Sequence, residues 1–189
     1  CEAGTTKVFN KLIMDDSIFF DIGANIGWFS VLAGKKINSG QCHSFEPVPE
    51  TFAELKNNIS LNNLSEKNIY LNQIAIGDKP GNIEVYTFDE LAHGHSSIKN
   101  VYQAPGVKTS AEMITLDSYL EQQKIKKIDI IKLDVEGAEM MVLHGALNLL
   151  SAKFNPIWLI EMNEETSHAF GYKCEDLLKR ILDFRDHSF

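Results

Sequence analysis

The chain has 189 residues, of which 44% are hydrophobic, and its formal net charge is −8. This length suits one globular domain with a full hydrophobic core, so we expect residues 1–189 to form a single domain. The acidic charge disfavours nucleic acid as a partner, because a polyanion is repelled on average. No apolar run approaches the roughly 20 residues needed to cross a bilayer, so we expect no membrane insertion.

The cysteines carry information about compartment rather than chemistry. Cys1, Cys42 and Cys174 are scattered and odd in number, which fits neither a metal-ligand spacing nor a disulfide framework. Free thiols of this kind favour a reducing environment, and the sequence therefore predicts a cytoplasmic protein.

Strands and helices alternate through the first part of the chain. The predicted elements are strand 17–22, helix 26–37, strand 41–47, helix 49–62 and strand 68–76. Pro49 suits the first turn of its helix, and "GDKPG" stops the third strand.

The middle of the chain breaks this alternation. In residues 82–88 apolar and polar side chains alternate, as in a half-exposed strand. We predict a long loop over 89–106 and another strand over 108–116. Asp117 is predicted to cap a short helix over 118–124. Because this stretch interrupts a regular pattern, we expect 82–116 to be an insertion that sets specificity.

The last part returns to alternation. The predicted elements are strand 128–134, helix 137–150, strand 156–163 and helix 174–184. Strands separated by helices indicate βαβ units with right-handed crossovers. The sequence thus predicts an α/β fold with a doubly wound, mostly parallel sheet flanked by helices.

An acidic residue stands at the carboxyl end of four predicted strands. These residues are Asp21, Glu46, Asp134 and Glu161. In doubly wound sheets the ligand crevice lies along this edge, at the switch in strand order. We therefore expect the four carboxylates to share one crevice.

The turn "DIGANIGW" after the first strand departs from a dinucleotide-binding turn. A dinucleotide fingerprint requires Gly-x-Gly-x-x-Gly, but Gly23 and Gly27 frame a run in which Asn25 and Trp28 replace the other glycines. Asp21 is also poorly placed beside a pyrophosphate, whereas an acid suits a ligand that carries an ammonium group. A structural cap for the next turn is the alternative role for Asp21.

S-adenosylmethionine fits these residues better than a nucleotide phosphate, because it combines an ammonium, a carboxylate, a sulfonium and a ribose diol. Glu46 is positioned to accept both ribose hydroxyls, and the adenine could lie against Ala75. The predicted cofactor-binding residues are Asp21, Gly23, Asn25, Gly27, Glu46, Ala75 and Asp134. An NAD-dependent oxidoreductase is the alternative prediction, because an acid at a strand end, such as Glu46, can also accept hydrogen bonds from the ribose hydroxyls of NAD.

Four motifs in the chain, in order and spacing, resemble the FkbM family of S-adenosylmethionine-dependent methyltransferases of the class I Rossmann-like group. They are "FFDIGANIGWFS", "HSFEPVPETFAELKNNISLN", "NQIAIGD" and "IDIIKLDVEGAEMMVLHGA". The resemblance implies a seven-stranded sheet and O-methylation of hydroxyls on sugars or secondary metabolites. The final strand pair of that sheet is not visible in the sequence, so we expect part of the substrate wall to be missing.

Removing the proton from an acceptor hydroxyl calls for a general base. The candidates are Asp134, Glu136, Glu161 and His95. His93 and His95 alternate as metal ligands can, but no matching carboxylate spacing is evident, so no metal is predicted. Lys132 is positioned to pair with Asp134. A non-catalytic module that keeps the fold and binds the cofactor is a further alternative to an enzyme.

Overall fold

The computed structural model of the protein describes residues 3–64, 68–88, 96–101, 105–153 and 156–184. In chain order its strands are β1 (Ile18–Ile22), β2 (Gln41–Phe45), β3 (Ile69–Asn72), β4 (Ala75–Gly77), β5 (Gly81–Thr87), β6 (Ser96–Ser97), β7 (Val107–Thr115), β8 (Ile130–Leu133) and β9 (Ile157–Ile160). Its helices are α1 (Ala3–Leu12), α2 (Trp28–Lys36), α3 (Pro49–Leu61), α4 (Leu116–Gln123), α5 (Glu139–His144), α6 (Leu147–Leu150), α7 (Glu164–Ala169) and α8 (Cys174–Leu182).

The main sheet has five strands in the order β3-β2-β1-β8-β9, and every neighbouring pair is parallel. The chain winds outward from β1 to β3 and later returns to β8 on the other side of β1. The strand order therefore switches between β1 and β8, where a crevice opens at the carboxyl ends. This confirms the predicted doubly wound α/β architecture.

Hydrophobic side chains of β1 alternate between the two faces of the sheet. Phe19 packs with Phe9 and Phe29 on one face, while Phe20 belongs to the cluster with Leu133 and Val142 on the other. Both faces are thus covered by helices, as a buried parallel sheet requires. This double burial fixes the position of the carboxyl edge.

A second sheet holds β4, β7, β5 and β6 in that order. The prediction of one strand over 68–76 is wrong, because β3 ends at Asn72 and β4 joins this other sheet. The Asn72 side-chain amide donates to the carbonyls of Ser44 and Tyr70 at 3.1 and 3.0 Å. Such competition by a short polar side chain explains why the strand stops there.

The single helix predicted over 137–150 is also wrong, because two helices, α5 and α6, lie there. The cause is Asp117, which accepts hydrogen bonds from the backbone N–H groups of Asn148 and Leu149 at 2.8 and 3.1 Å. These contacts satisfy free donors at the start of α6. The prediction that Asp117 caps its own helix is therefore wrong, because Thr115 caps α4 by accepting from the Ser118 N–H at 3.1 Å.

We expect Thr115→Ala to lower the free energy of unfolding by about 1 kcal/mol, because it removes the α4 cap. For a protein of this size that loss corresponds to a fall in melting temperature of roughly 2 to 4 °C. Thr115→Ser keeps the accepting hydroxyl and is the matched control. Equal melting temperatures for the alanine and serine variants would show that the cap contributes nothing.

Two helices are additional to those predicted from the sequence. α1 and α7 are additional helices, and Asn163 caps α7 by accepting from the N–H groups of Glu165 and Thr166. Trp28, which dinucleotide-type packing would have buried, is 48% exposed and its indole N–H donates to Thr6 at 3.1 Å.

Beyond β9, the described residues add no further strand to the main sheet, so the seven strands that the resemblance implies are five here. Among the described helices, none combines the length and the apolar composition that crossing a bilayer requires. The cytoplasmic location stays a prediction.

Candidate functional site

The turn between β1 and α2 is built from three residues in the left-handed region. Gly23, Asn25 and Gly27 have φ values of 78°, 51° and 89°. The N–H groups of Gly23 and Ala24 both donate to the Phe45 carbonyl, at 3.1 and 2.9 Å. The turn is therefore held against the end of β2 by the protein's own hydrogen bonds.

Each glycine is required by a neighbouring segment. A Cβ atom on Gly23 would lie 1.8 Å from the Asp134 carbonyl oxygen, and one on Gly27 would lie 2.3 Å from a Leu55 methyl carbon. Close approach of two chain segments, combined with positive φ, explains both glycines. Gly27 does not line the cleft described below.

Glu46 is the buried acid at the end of β2, with 2% of its surface exposed. Its Oε2 accepts from the Asn25 N–H at 3.1 Å, and its Oε1 accepts from the Val48 N–H at 3.0 Å. Burial raises the pKa of this carboxyl to about 7, although the two hydrogen bonds oppose the shift. Each oxygen retains a lone pair for a further donor.

Asp21 is fully buried beneath the turn and does not line the cleft. Its Oδ2 accepts from the Ser30 hydroxyl at 2.6 Å, while its Oδ1 is buried without a hydrogen-bond partner. Burial raises its pKa. The Ser30 contact ties Asp21 to α2, whose N-cap residue Gly27 makes no side-chain cap. Direct contact of Asp21 with a cofactor stays a prediction.

Three carboxylates meet beyond the ends of β8 and β9. Oxygen atoms of Asp134, Glu136 and Glu161 lie within 4.8 Å of one another. That spacing would allow one cation to be shared. The cation that the structure places on Asp134 is Lys132, whose Nζ lies 2.8 Å from Oδ2, which confirms the predicted ion pair.

Glu139 supports the turn after β8 rather than the crevice. Its Oε1 accepts from the N–H groups of Val135 and Gly137 at 3.1 and 3.2 Å, and the Tyr172 hydroxyl lies 2.7 Å from its Oε2. The side chain is buried, which raises its pKa. Glu139 therefore fixes the loop that carries Glu136.

A cleft of about 730 Å³, including the space open to solvent, lies at the switch between β1 and β8. Its lining is mostly apolar with a few convergent polar groups, as in small-molecule sites. The predicted site residues on its wall are Gly23, Asn25, Glu46, Ala75, Asp134 and Glu136. Glu161 is exposed and lies off this wall, within reach of Asp134 and Glu136. His95 lies outside the described residues.

The second sheet supplies cleft residues that the sequence analysis missed. They are Ile83, Val85, Ser96, Ser97, Ile98 and Met113. The alternation of apolar and polar residues in "NIEVYTF" predicted that one face of β5 is buried. It did not predict that this face lines the cleft. The Ser97 hydroxyl donates to the Glu136 carbonyl at 2.8 Å, which ties this sheet to the turn after β8.

The residues present fit an adenosyl amino acid. Apolar side chains such as Phe45, Ile76 and Met141 offer a surface for an adenine ring, and buried Glu46 offers lone pairs to a ribose diol. The orphaned Oδ1 of Asp21 is a further carboxyl oxygen beneath the same turn. Glu46 would hold the ribose, Ala75 the adenine, and the Gly23–Asn25 turn the amino acid portion.

The chain is similar to several curated methyltransferases. The chain is 30% identical to "Methyltransferase 1" of Beauveria bassiana, covering 69% of this chain and 59% of the relative. It is 27% identical to the "Hexuronic acid methyltransferase AglP" of Haloferax volcanii (73% and 53% covered) and to the "31-O-demethyl-FK506 methyltransferase FkbM" of Streptomyces tacrolimicus (68% and 58%). The chain thus spans little more than half the length of these relatives.

A crystal structure of a methyltransferase FkbM from Methylobacillus flagellatus KT has a TM-score of 0.57 and 16% identity to this chain. The match covers 94% of this chain and 42% of that one, and it shows the shared fold. The family described as "Methyltransferase FkbM domain" matches residues 21–188, which contain the whole cleft. The chain belongs to the FkbM methyltransferase domain family.

Proposed function

We propose that the chain binds S-adenosylmethionine in the cleft at the β1–β8 switch and catalyses methyl transfer to a hydroxyl oxygen of a small acceptor. The observation that carries this proposal is Glu46, a 2% exposed carboxylate on the cleft wall next to an apolar surface. When bound, the cofactor supplies an electrophilic methyl group, so the protein is left to bind, orient and exclude water.

The chain's own residues divide these tasks. Glu46 accepts hydroxyl donors on one side of the cleft, and its buried position keeps water away from that contact. On the other side, Asp134 and Glu136 face the space where an acceptor hydroxyl would lie. Glu136 on the cleft wall and Glu161 beside it are the candidates to take the hydroxyl proton.

The acceptor in this proposal is a sugar or a secondary metabolite with a free hydroxyl, rather than a nucleic acid. Two relatives are named for methylation of a hexuronic acid and for a 31-O-demethyl compound, which supports an oxygen acceptor. The net charge of −8 and the three clustered carboxylates would repel a phosphate backbone.

We also propose that segment 82–116 sets the choice of acceptor. Ile83 and Val85 of β5 line the cleft, and the next residue on that face, Thr87, lines an adjoining cleft of about 1280 Å³ that shares Asn25. On β7, Met113 lines the first cleft and Thr109 lines the adjoining one. The second sheet therefore contributes wall residues to both clefts.

Calorimetry with S-adenosylhomocysteine and with NAD tests the proposal. We expect S-adenosylhomocysteine to bind with a dissociation constant of about 10 μM or below, equivalent to roughly −7 kcal/mol, and NAD to show no heat of binding. Tighter binding of NAD would favour the oxidoreductase. Binding of S-adenosylhomocysteine without methyl transfer from S-adenosylmethionine to any member of a hydroxyl library would favour the non-catalytic module.

A further inference from the structure

One buried lysine joins the two turns that form the cleft. Lys132 lies on β8 opposite Asp21 of β1, and its side chain is 8% exposed. Its Nζ donates to the Gly23 carbonyl at 3.1 Å and to Asp134 Oδ2 at 2.8 Å. The first acceptor belongs to the turn after β1 and the second to the turn after β8.

The ammonium of Lys132 also lies among acids that the fold has removed from water. Asp21 is fully buried and Glu46 is 2% exposed, and the positive charge of Lys132 opposes the rise in the pKa of both carboxyls. Its Nζ is 5.4 Å from the centre of the Phe29 ring. Of the lysines and arginines in the described residues, Lys132 is the one that is buried.

Burial of such a charge is costly unless its partners are well placed, and the two acceptors of Lys132 meet that condition. An apolar residue would satisfy the packing of β8 without the cost of desolvation. What an apolar residue could not do is hold a carbonyl and a carboxylate from two separate turns at one fixed distance.

We infer that Lys132 is a positioning residue that sets the separation between the Gly23 turn and Asp134, and so aligns the cofactor side of the cleft with the acceptor side. This inference rests on the proposed function. Lys132 acts through the Gly23 carbonyl and the Asp134 carboxylate and does not line the cleft itself.

The test uses Lys132→Met, with S-adenosylhomocysteine affinity measured by calorimetry and folding followed by circular dichroism. We expect the affinity to fall about 100-fold, because the Gly23 carbonyl and the Asp134 carboxylate lose the ammonium donor that joins them. Lys127→Met is the matched control, because Lys127 is exposed and pairs with Asp129 in the segment that precedes β8, away from its carboxyl end. We expect the control to bind like the unmodified protein.

A purely structural role gives a different result. In that case Lys132→Met has a lower melting temperature than the unmodified protein, but the folded variant binds S-adenosylhomocysteine with unchanged affinity. That outcome would overturn the inference. Should Lys132→Met fail to fold, Lys132→Arg decides: the longer guanidinium keeps the charge but changes the separation, so we expect an affinity loss of about tenfold. Unaltered affinity in Lys132→Arg would also overturn it.

The double variant Lys132→Met/Asp134→Asn shows whether Lys132 acts through Asp134. If it does, the double variant binds no more weakly than Lys132→Met alone, because the two losses are not additive. Additive losses would contradict that route. Absence of binding by the unmodified protein would instead refute the proposed function, so the two failures are distinguishable.

Discussion

The affinity for S-adenosylhomocysteine should rise about tenfold between pH 6 and pH 8, and this rise should disappear in Glu46→Gln. Burial raises the pKa of Glu46 to about 7 in the unliganded protein. Ribose hydroxyls donate hydrogen bonds, so the ligand binds the ionised carboxylate more tightly than the acid. Binding therefore favours loss of the proton, and it strengthens as the pH rises through 7.

The absolute affinity of Glu46→Gln should also fall, by about 100-fold at pH 8. Hydrogen bonds to a charged acceptor are worth roughly 1.5 to 3 kcal/mol each, and the ribose diol provides two donors. In the unmodified protein the backbone N–H groups of Asn25 and Val48 both donate to the Glu46 carboxylate. In Glu46→Gln the amide places its own N–H group against one of these two donors, and that hydrogen bond is lost.

Isothermal titration at pH 6, 7 and 8 measures both effects, and Glu121→Gln is the control because this exposed acid on α4 lies away from the cleft. A pH dependence that persists unchanged in Glu46→Gln would assign the titration to another group. Full affinity in that variant at pH 8 would remove Glu46 from the ribose contact.

The parallel, doubly wound character of the main sheet was predictable because its signals are local. Apolar runs ending in Asp21, Glu46 and Asp134 mark the carboxyl edge, and the intervening helices force parallel neighbours. The Lys132–Asp134 pair was also predictable, because residues two apart on a strand lie on the same face. These features depend on spacing along a single segment.

The errors arise where distant segments decide the outcome. Asn72 ends β3 through the Ser44 carbonyl, and Asp117 starts α6 from 31 residues away. α7 carried a readable signal, since Asn163 followed by two acids is typical of a helix start. The cleft contribution of Ser96 and Ser97 had no local signal, because it depends on how the second sheet folds over the first.

The second large effect concerns Gly23, whose replacement by alanine should lower the melting temperature by about 10 °C or more. The new Cβ would lie 1.8 Å from the Asp134 carbonyl oxygen, which belongs to backbone and cannot rotate away. Overpacking costs about 1 to 3 kcal/mol, and a non-glycine residue at φ of +78° adds about 1 to 2 kcal/mol. Each kcal/mol lowers the melting temperature by roughly 2 to 4 °C in a protein of this size.

Gly171→Ala separates the two costs, because Gly171 has φ of +86° but no atom within 4 Å of an added Cβ. We expect it to lose only the conformational part, about 1 to 2 kcal/mol. The excess loss in Gly23→Ala then measures the contact between the turn after β1 and the turn after β8. Since Lys132 bridges the same two turns, Gly23→Ala should also weaken S-adenosylhomocysteine binding in the protein that remains folded. Equal melting temperatures for the two alanine variants would mean that the turns are free to separate, and the alignment of the cleft would then need another cause.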